Sequence, residues 1–220
     1  MKEKNIKIII VDDHPIVRKG IKSIIDCEDN ITVCGEAEDA NGAMSLVGEL
    51  MPDLVIADIT LKGNINGIDL VKAIKSRYPG IKTLTISMYD GALYAERAIR
   101  AGSRGYITKE EASENIIAAI HTVMKGELYL SSDISAKMVD ILMHGSKDSG
   151  GVSISSLSDR EFEVFQLIGN GYKRGNIAKK LNININTVES HRRKIKEKLG
   201  VNDSAELARL AVQWTISQNT

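Results

Sequence analysis

Five side chains in the first half of the chain have the types and positions needed for phosphoryl and metal chemistry. The apolar run Leu54-Val55-Ile56-Ala57 ends on Asp58, and the run that begins at Ile6 ends on Asp12 and Asp13. Thr83-Leu84-Thr85-Ile86 closes on Ser87, and Tyr106-Ile107-Thr108 closes on Lys109. Runs apolar throughout, rather than alternating, belong to strands buried on both faces, as in a parallel sheet. In open parallel sheets ligands and chemistry sit outside the carboxyl ends of the strands. Each residue alone is what any strand end carries; acid pair, acid, hydroxyl and lysine together form a specific pattern. Three carboxylates gathered at one edge repel one another unless a cation sits among them. A hard ion that takes oxygen ligands and keeps several waters is Mg²⁺.

Positioning those ends requires alternating elements. Strand-like runs fall at 7–11, 31–35, 53–57, 82–86 and 105–107, and helical periodicity at 16–25, 40–50, 70–77, 92–101 and 114–124. Alternation of this kind predicts right-handed βαβ units and an α/β doubly wound domain, here over residues 1–125. Pro15 suits the first turn of the helix after Asp12-Asp13-His14, where a missing N–H costs nothing.

The 220 residues carry a formal net charge of zero, unevenly shared. Residues 1–156 hold 18 Lys and Arg against 22 Asp and Glu, whereas residues 157–220 hold 11 against 7. A basic partner-binding module attached to a mildly acidic domain is therefore expected. Two cysteines, Cys27 and Cys34, form no bridge framework or C-x-x-C pair and read as small buried thiols of a reducing cytosol. The apolar run from Ile6 to Val11 is too short for a signal peptide or a membrane span, so a soluble cytoplasmic protein is expected.

Residues 126–156 read as a linker with one short amphipathic helix beginning near Ser131 or Ser132, then a Gly- and Ser-rich tether from His144. Residues 157–220 read as a small all-α domain. Ser158 and Glu161 form a capping box ahead of Phe162, Phe165 and Ile168, with Gly171 closing that helix. A short helix near 175–181, a turn at 182–184 and a longer helix to Leu199 and Gly200 follow, then a last helix bearing Leu207, Leu210, Ala211 and Trp214. A short helix, a tight turn and a helix dense in Arg and Lys is the helix-turn-helix arrangement.

In the longer helix Val188, Ile195 and Leu199 fall on the core stripe. Thr187, Glu189 and Ser190 lie early enough to meet base edges, and Arg193 is the best candidate for bidentate contact with guanine, with Glu189 either accepting from cytosine N4 or standing in solvent as a partner of the helix dipole. Arg192, Lys194, Lys196, Lys179 and Lys180 suit phosphates, which position without specifying. His191 has no second metal ligand nearby and reads as a structural or phosphate-contacting residue.

On Asp12, Asp13, Asp58, Ser87 and Lys109, with Tyr106 three residues before the lysine, residues 6–125 resemble the receiver domain of two-component response regulators. Residues 157–211 resemble the LuxR-type helix-turn-helix domain, notably at Leu157, Ser158, Arg160, Glu161, Gly171, Ile177, Ala178, Leu181, Thr187, Val188, His191, Leu199, Gly200, Val201 and Leu207. Together they resemble a NarL/FixJ-type regulator. The resemblance implies a flavodoxin-like strand order 2-1-3-4-5, Asp58 as phosphoacceptor, and Mg²⁺ held by Asp12, Asp13, Asp58 and the Thr60 carbonyl. It implies that Ser87 and Lys109 contact the phosphoryl group while Tyr106 repacks. It further implies a sensor histidine kinase as donor, double-stranded DNA as target, a homodimer in the active state and no turnover enzyme; Leu207, Leu210, Ala211 and Trp214 suit either the core or, as related domains pair there, the dimer contact.

Three features depart from that family. Leu61-Lys62 stands where Met-Pro is usual, the loop from Asp58 to Gly67 is one residue longer than the commonest form, and Lys173-Arg174-Gly175-Asn176 replaces the usual start of the short helix. Three rival readings are a regulator that binds DNA without phosphorylation, an Asp-nucleophile phosphohydrolase and a pure protein-interaction adaptor. The second would carry an acid two residues after the nucleophile, where this chain has Thr60, and the basic helix disfavours the third.

Overall fold

The computed structural model describes residues 5–63, 65–88, 92–144 and 154–218, which fall in two compact units, Met1–Asp140 and Ile141–Thr220. In the first unit the elements alternate as β1 (Ile6–Val11), α1 (Pro15–Ile25), β2 (Ile31–Ala37), α2 (Ala40–Leu50), β3 (Leu54–Asp58), α3 (Gly67–Arg77), β4 (Lys82–Ser87), α4 (Ala92–Ala101), β5 (Tyr106–Thr108) and α5 (Lys109–Met124). The five strands pair in parallel in the order β2-β1-β3-β4-β5, as expected. Strand alternation explains why β1 is apolar from Ile8 to Val11. Ile8 and Ile10 face Ile21 and Ile25 of α1 and Ile116, Ile120 and Val123 of α5. Ile9 and Val11 face Ala43 and Val47 of α2 and Leu70 and Ile74 of α3.

β3, β4 and β5 each close one residue later than the hydrophobic pattern suggests, so that Asp58 ends β3 and Ser87 ends β4. Of the two thiols expected to be buried, Cys27 is exposed and Cys34 half-buried. The helix expected at 114–124 begins at Lys109, directly after β5. Thr108 caps it: its hydroxyl accepts from the Glu111 N–H at 3.1 Å, and the Glu111 carboxylate accepts from the Thr108 N–H at 3.1 Å. That reciprocal pair rigidly places the lysine at the first helical position.

Beyond residue 125, where the linker is expected, the chain stays packed on the first unit. Tyr129 donates to the Arg104 carbonyl and accepts from the Tyr106 N–H, both at 3.0 Å, lining the open side of the edge strand β5. The following helix α6 (Ser132–His144) buries Ile134 completely. An unpaired strand edge is costly to leave open, and this segment covers it. Residues 145–153 of the expected tether lie outside the described residues.

The second unit begins with a 3₁₀ turn (Ile154–Ser156) and continues as α7 (Asp159–Gly169), α8 (Arg174–Leu181), α9 (Ile185–Leu199) and α10 (Ser204–Gln218). The Ser158–Glu161 capping box forms as expected, while α7 ends at Gly169, two residues before Gly171. Gly169 marks the closest approach of α7 and α10, since a Cβ there would lie 2.2 Å from Thr215 Oγ1 and 2.6 Å from the Ala211 carbonyl.

Of the four candidates for a dimer contact, Leu207 and Ala211 lie fully buried in the unit's own core, whereas Leu210 and Trp214 are half-buried. Trp214 sets its ring edge-on against Phe162 at 5.3 Å and Phe165 at 5.9 Å, geometry favoured by the ring quadrupoles. Leu207 and Ala211 fill the core beneath α7 while Trp214 covers its aromatic face, and Val212 and Ile216, the latter 62 % exposed, are apolar side chains that α10 presents to solvent.

Candidate functional site

The β1–β3 register pairs Val11 with Ala57, which sets Asp12 beside Asp58 at the carboxyl edge of the sheet. Asp12, Asp13 and Asp58 are all buried there, Asp58 being only 2 % exposed. Lys109 reaches across from the first turn of α5 and places its Nζ 2.6 Å from Asp12 Oδ2 and 2.6 Å from Asp58 Oδ2. The other Asp58 oxygen, Oδ1, accepts from the Thr60 N–H at 3.1 Å. Asp12 Oδ1 accepts from the His14 N–H at 2.7 Å, and His14 Nδ1 lies 2.7 Å from Asp13 Oδ1.

Burial pushes the Asp58 carboxyl up to about 6; the Lys109 ammonium opposes that rise and the Asp12 carboxylate adds to it. Burial alone would lower the Lys109 ammonium, yet the facing Asp58 and Asp12 carboxylates outweigh it and raise its pKa, so it stays charged. Three carboxylates against one buried ammonium leave an excess of negative charge. Asp12, Asp13, His14 and Asp58 each offer a ligand atom, all within 4.8 Å of one another. Three carboxylates with room for water fit a hard divalent cation such as Mg²⁺.

The elevated Asp58 value has a consequence for stability. Below about pH 4 the carboxyl is protonated in folded and unfolded chains alike and costs nothing. Between about pH 4 and 6 the folded chain holds the proton more tightly, so stability falls as pH rises, and above pH 6 the cost is complete. In EDTA, Asp58→Asn is therefore expected to stabilise the protein at pH 7.5 by about 3 kcal/mol, with the gain vanishing near pH 4. Urea titrations at both pH values check this; an equal gain at both would contradict it.

Ser87 lies at the same edge, fully buried and in register with Thr108. Tyr106 begins β5 opposite Thr85 and is also fully buried. Sequence reasoning missed Gly67, the first residue of α3. A Cβ on it would lie 1.8 Å from the Asp58 carbonyl oxygen, and its N–H donates to the Ile59 carbonyl at 2.8 Å. It also missed Lys62, whose Nζ lies 3.8 Å from Asp13 Oδ2; only the departure from Met-Pro marked that position.

In the second unit Asn182 adopts a left-handed conformation (φ 49°) that ends α8, and Asn184 caps α9 by accepting from the Asn186 N–H at 2.8 Å. Val188, Ile195 and Leu199 are buried as expected. Arg193 is 71 % exposed, with Glu197 as a loose partner at 3.9 Å. Lys194, Lys179 and Lys180 are exposed, whereas Thr187, Ser190 and Lys196 are half-buried. Glu189 lies between Arg174 at 3.8 Å and Arg192 at 3.9 Å, and the stem of Arg192 is largely packed. His191 is held below its usual range by burial and by the Arg160 guanidinium, which suits a neutral packed imidazole.

Buried polar contacts on α7, which sequence reasoning did not identify, anchor this helix pair. Arg160 donates to the Leu181 carbonyl at 3.2 Å and pairs with Glu163 at 2.5 Å. Glu161, despite a burial that raises its pKa, is held below the usual range by hydrogen bonds from Lys198 and Ser158. Lys198 Nζ lies 2.7 Å from Glu161 Oε2, fastening the last turn of α9 to the start of α7. Among the described residues no helix is long and apolar enough to cross a membrane.

Comparison with known proteins matches residues 8–121 to the family described as response regulator receiver domain and residues 155–211 to bacterial regulatory proteins, luxR family. The oxygen regulatory protein NreC of Staphylococcus aureus (strain bovine RF122 / ET3-1) is 33 % identical over 210 residues, covering 94 % of this chain and 97 % of that protein. Its Staphylococcus haemolyticus counterpart is 34 % identical over 211 residues, with the same coverage, 94 % and 97 %. Among solved structures, the Salmonella typhimurium RcsB response regulator superposes with a TM-score of 0.68 at 27 % identity, over 96 % of this chain and 98 % of that one. RcsB bound to promoter P1flhDC in the presence of the phosphomimetic BeF3⁻ gives a TM-score of 0.65 at 28 % identity, over 94 % and 98 %.

Proposed function

Because this chain belongs to the two-component response regulators in which a receiver domain precedes a LuxR-type DNA-binding domain, we propose that Asp58 is its phosphoacceptor and that phosphorylation there controls DNA binding. The observation that carries the reading is Lys109, whose ammonium bridges Asp12 and Asp58 in a buried pocket at the sheet's carboxyl edge. An Asp58 carboxylate oxygen attacks phosphorus; the bond to the donor's nitrogen or oxygen breaks, and the leaving group keeps the electron pair. Such transfers depend on positioning and charge neutralisation. Lys109 supplies a fixed positive charge. Asp12, Asp13, Asp58 and the Thr60 carbonyl would hold Mg²⁺, which neutralises phosphoryl charge when bound.

Ser87 then donates its hydroxyl to a phosphoryl oxygen, and Tyr106 repacks in the space its loop leaves, biasing a two-state surface. The donor is the phosphohistidine of a sensor histidine kinase, and the protein acts in the cytoplasm, where that donor and DNA meet. Thr60, in place of an acid, supports a stable acceptor with slow autodephosphorylation over a phosphohydrolase.

On the DNA side Arg193, Glu189, Ser190 and Thr187 read base edges, while Arg192, Lys194, Lys196, Lys179 and Lys180 meet phosphates. The active form is a homodimer. Arg193→Ala is expected to cost about 1–3 kcal/mol on the preferred site and to relax specificity at one base pair. Lys179→Ala should weaken binding to every sequence alike and flatten the salt dependence. Fluorescence anisotropy on preferred and scrambled duplexes across a salt series separates the two; equal losses on both duplexes for Arg193→Ala would contradict its role.

The proposal is tested by selecting duplexes from a random pool with protein treated with acetyl phosphate and Mg²⁺. Phosphorylated wild type should bind the selected duplex at least about tenfold more tightly than untreated protein, a modest coupling energy. Asp58→Asn should not respond. Equal affinity with and without treatment, or the same response in Asp58→Asn, would overturn it.

A further inference from the structure

Each carboxylate of the acceptor pocket has a basic side chain beside it, and the allocation is uneven. Lys109 serves Asp12 and Asp58 at 2.6 Å each and is itself buried. Asp13 is served by His14 at 2.7 Å and, on its other oxygen, by Lys62 at 3.8 Å. Lys62 lies on the loop between Asp58 and α3, its side chain is 50 % exposed, and its tip is held at Asp13. A lysine side chain that is half in water can leave its partner at small cost, since exposed pairs contribute little stability. It can also compete, because it occupies an oxygen that a metal ion would need.

We propose that Lys62 is a displaceable internal counter-ion of the acceptor pocket, competing with the divalent cation for Asp13 and so weakening the pocket's affinity for that ion. This rests on the reading that Asp12, Asp13 and Asp58 hold the cation. With Lys62 in place, an incoming ion must break the Asp13 pair and meets a pocket with one less unit of net negative charge. With a neutral residue there it does neither. Once displaced, the ammonium stays at the mouth of the pocket, where it attracts the anionic phosphodonor. Phosphorylation of this protein is thereby made responsive to the free Mg²⁺ concentration over a range in which a tighter site would already be saturated.

The test is Mg²⁺ binding to the unphosphorylated full-length protein by isothermal titration calorimetry, with wild type, Lys62→Gln, Lys62→Arg and Asp13→Asn. Lys62→Gln should bind Mg²⁺ about three- to tenfold more tightly than wild type, as a single unit charge near a partly solvated divalent ion implies. Lys62→Arg should bind like wild type. The ratio between Lys62→Gln and wild type should shrink towards one in about 1 M KCl, where the screening length is roughly 3 Å. Equal or weaker binding in Lys62→Gln, or Lys62→Arg binding as tightly as Lys62→Gln, overturns the role of Lys62 while leaving the metal site intact. Undiminished binding in Asp13→Asn, or no binding in wild type, overturns the metal assignment and this inference with it. Matching melting temperatures for wild type and Lys62→Gln in EDTA show that the fold is preserved.

Discussion

Lys109→Met is expected to slow phosphorylation of Asp58 by acetyl phosphate at least about 100-fold, the loss typical of removing one fixed electrostatic donor from a buried reacting site. The methionine keeps the volume and packing of the aliphatic stem and removes only the charge. Its absence leaves Asp12 and Asp58 buried and facing each other, and their repulsion drives the Asp58 carboxyl further above its already raised value of about 6. Less of the nucleophilic carboxylate then exists at neutral pH, and no ammonium meets the transferring group. Lys109→Arg should recover little, because a planar guanidinium cannot place one charged nitrogen 2.6 Å from both carboxylates in the space an ammonium fills. Rapid-quench kinetics at saturating Mg²⁺ measure the rate, and a rate within tenfold of wild type would show that Lys109 is structural only.

Gly67→Ala is expected to cost about 3 kcal/mol of stability, the upper end of what overpacking usually takes, because the obstacle is main chain. An added Cβ would lie 1.8 Å from the Asp58 carbonyl oxygen and 2.8 Å from the Ile59 Cα. No rotamer change relieves a clash with backbone, so β3 or the start of α3 must move, and Asp58 stands at the contact. The same substitution should weaken Mg²⁺ binding. Urea unfolding with and without Mg²⁺ reads both effects, and a stability change under 1 kcal/mol would mean that the loop yields more easily than the contact implies.

The strand ends carried most of the chemistry in the sequence, because in a parallel sheet a continuous apolar run followed by a polar side chain can only place that side chain at the carboxyl edge. Asp12, Asp13, Asp58, Ser87 and Lys109 were legible for that reason, and so was the sheet order once the resemblance was drawn. Helix starts were less legible. Lys109 begins α5 directly because Thr108 and Glu111 cap it, a signature present in the sequence but hidden by the lack of any loop after β5. Contacts between distant positions were not legible at all. The approach of Gly67 to the Asp58 backbone, the reach of Lys62 to Asp13, and the Arg160 bond to the Leu181 carbonyl depend on three-dimensional closure with no local periodicity. The last helix was ambiguous in sequence: Leu207, Ala211 and Trp214 form an apolar stripe that suits a dimer face as well as a core, and only the aromatic face of α7 shows that Leu207 and Ala211 belong to the core while Trp214 packs on it half-buried.

The most direct test of the central claim is the intact mass of wild type and Asp58→Asn after rapid-quench incubation with acetyl phosphate and Mg²⁺. One added phosphoryl group in wild type and none in Asp58→Asn is the expected result. An adduct of equal yield in Asp58→Asn, or no adduct in wild type at any quench time, would contradict Asp58 as the phosphoacceptor.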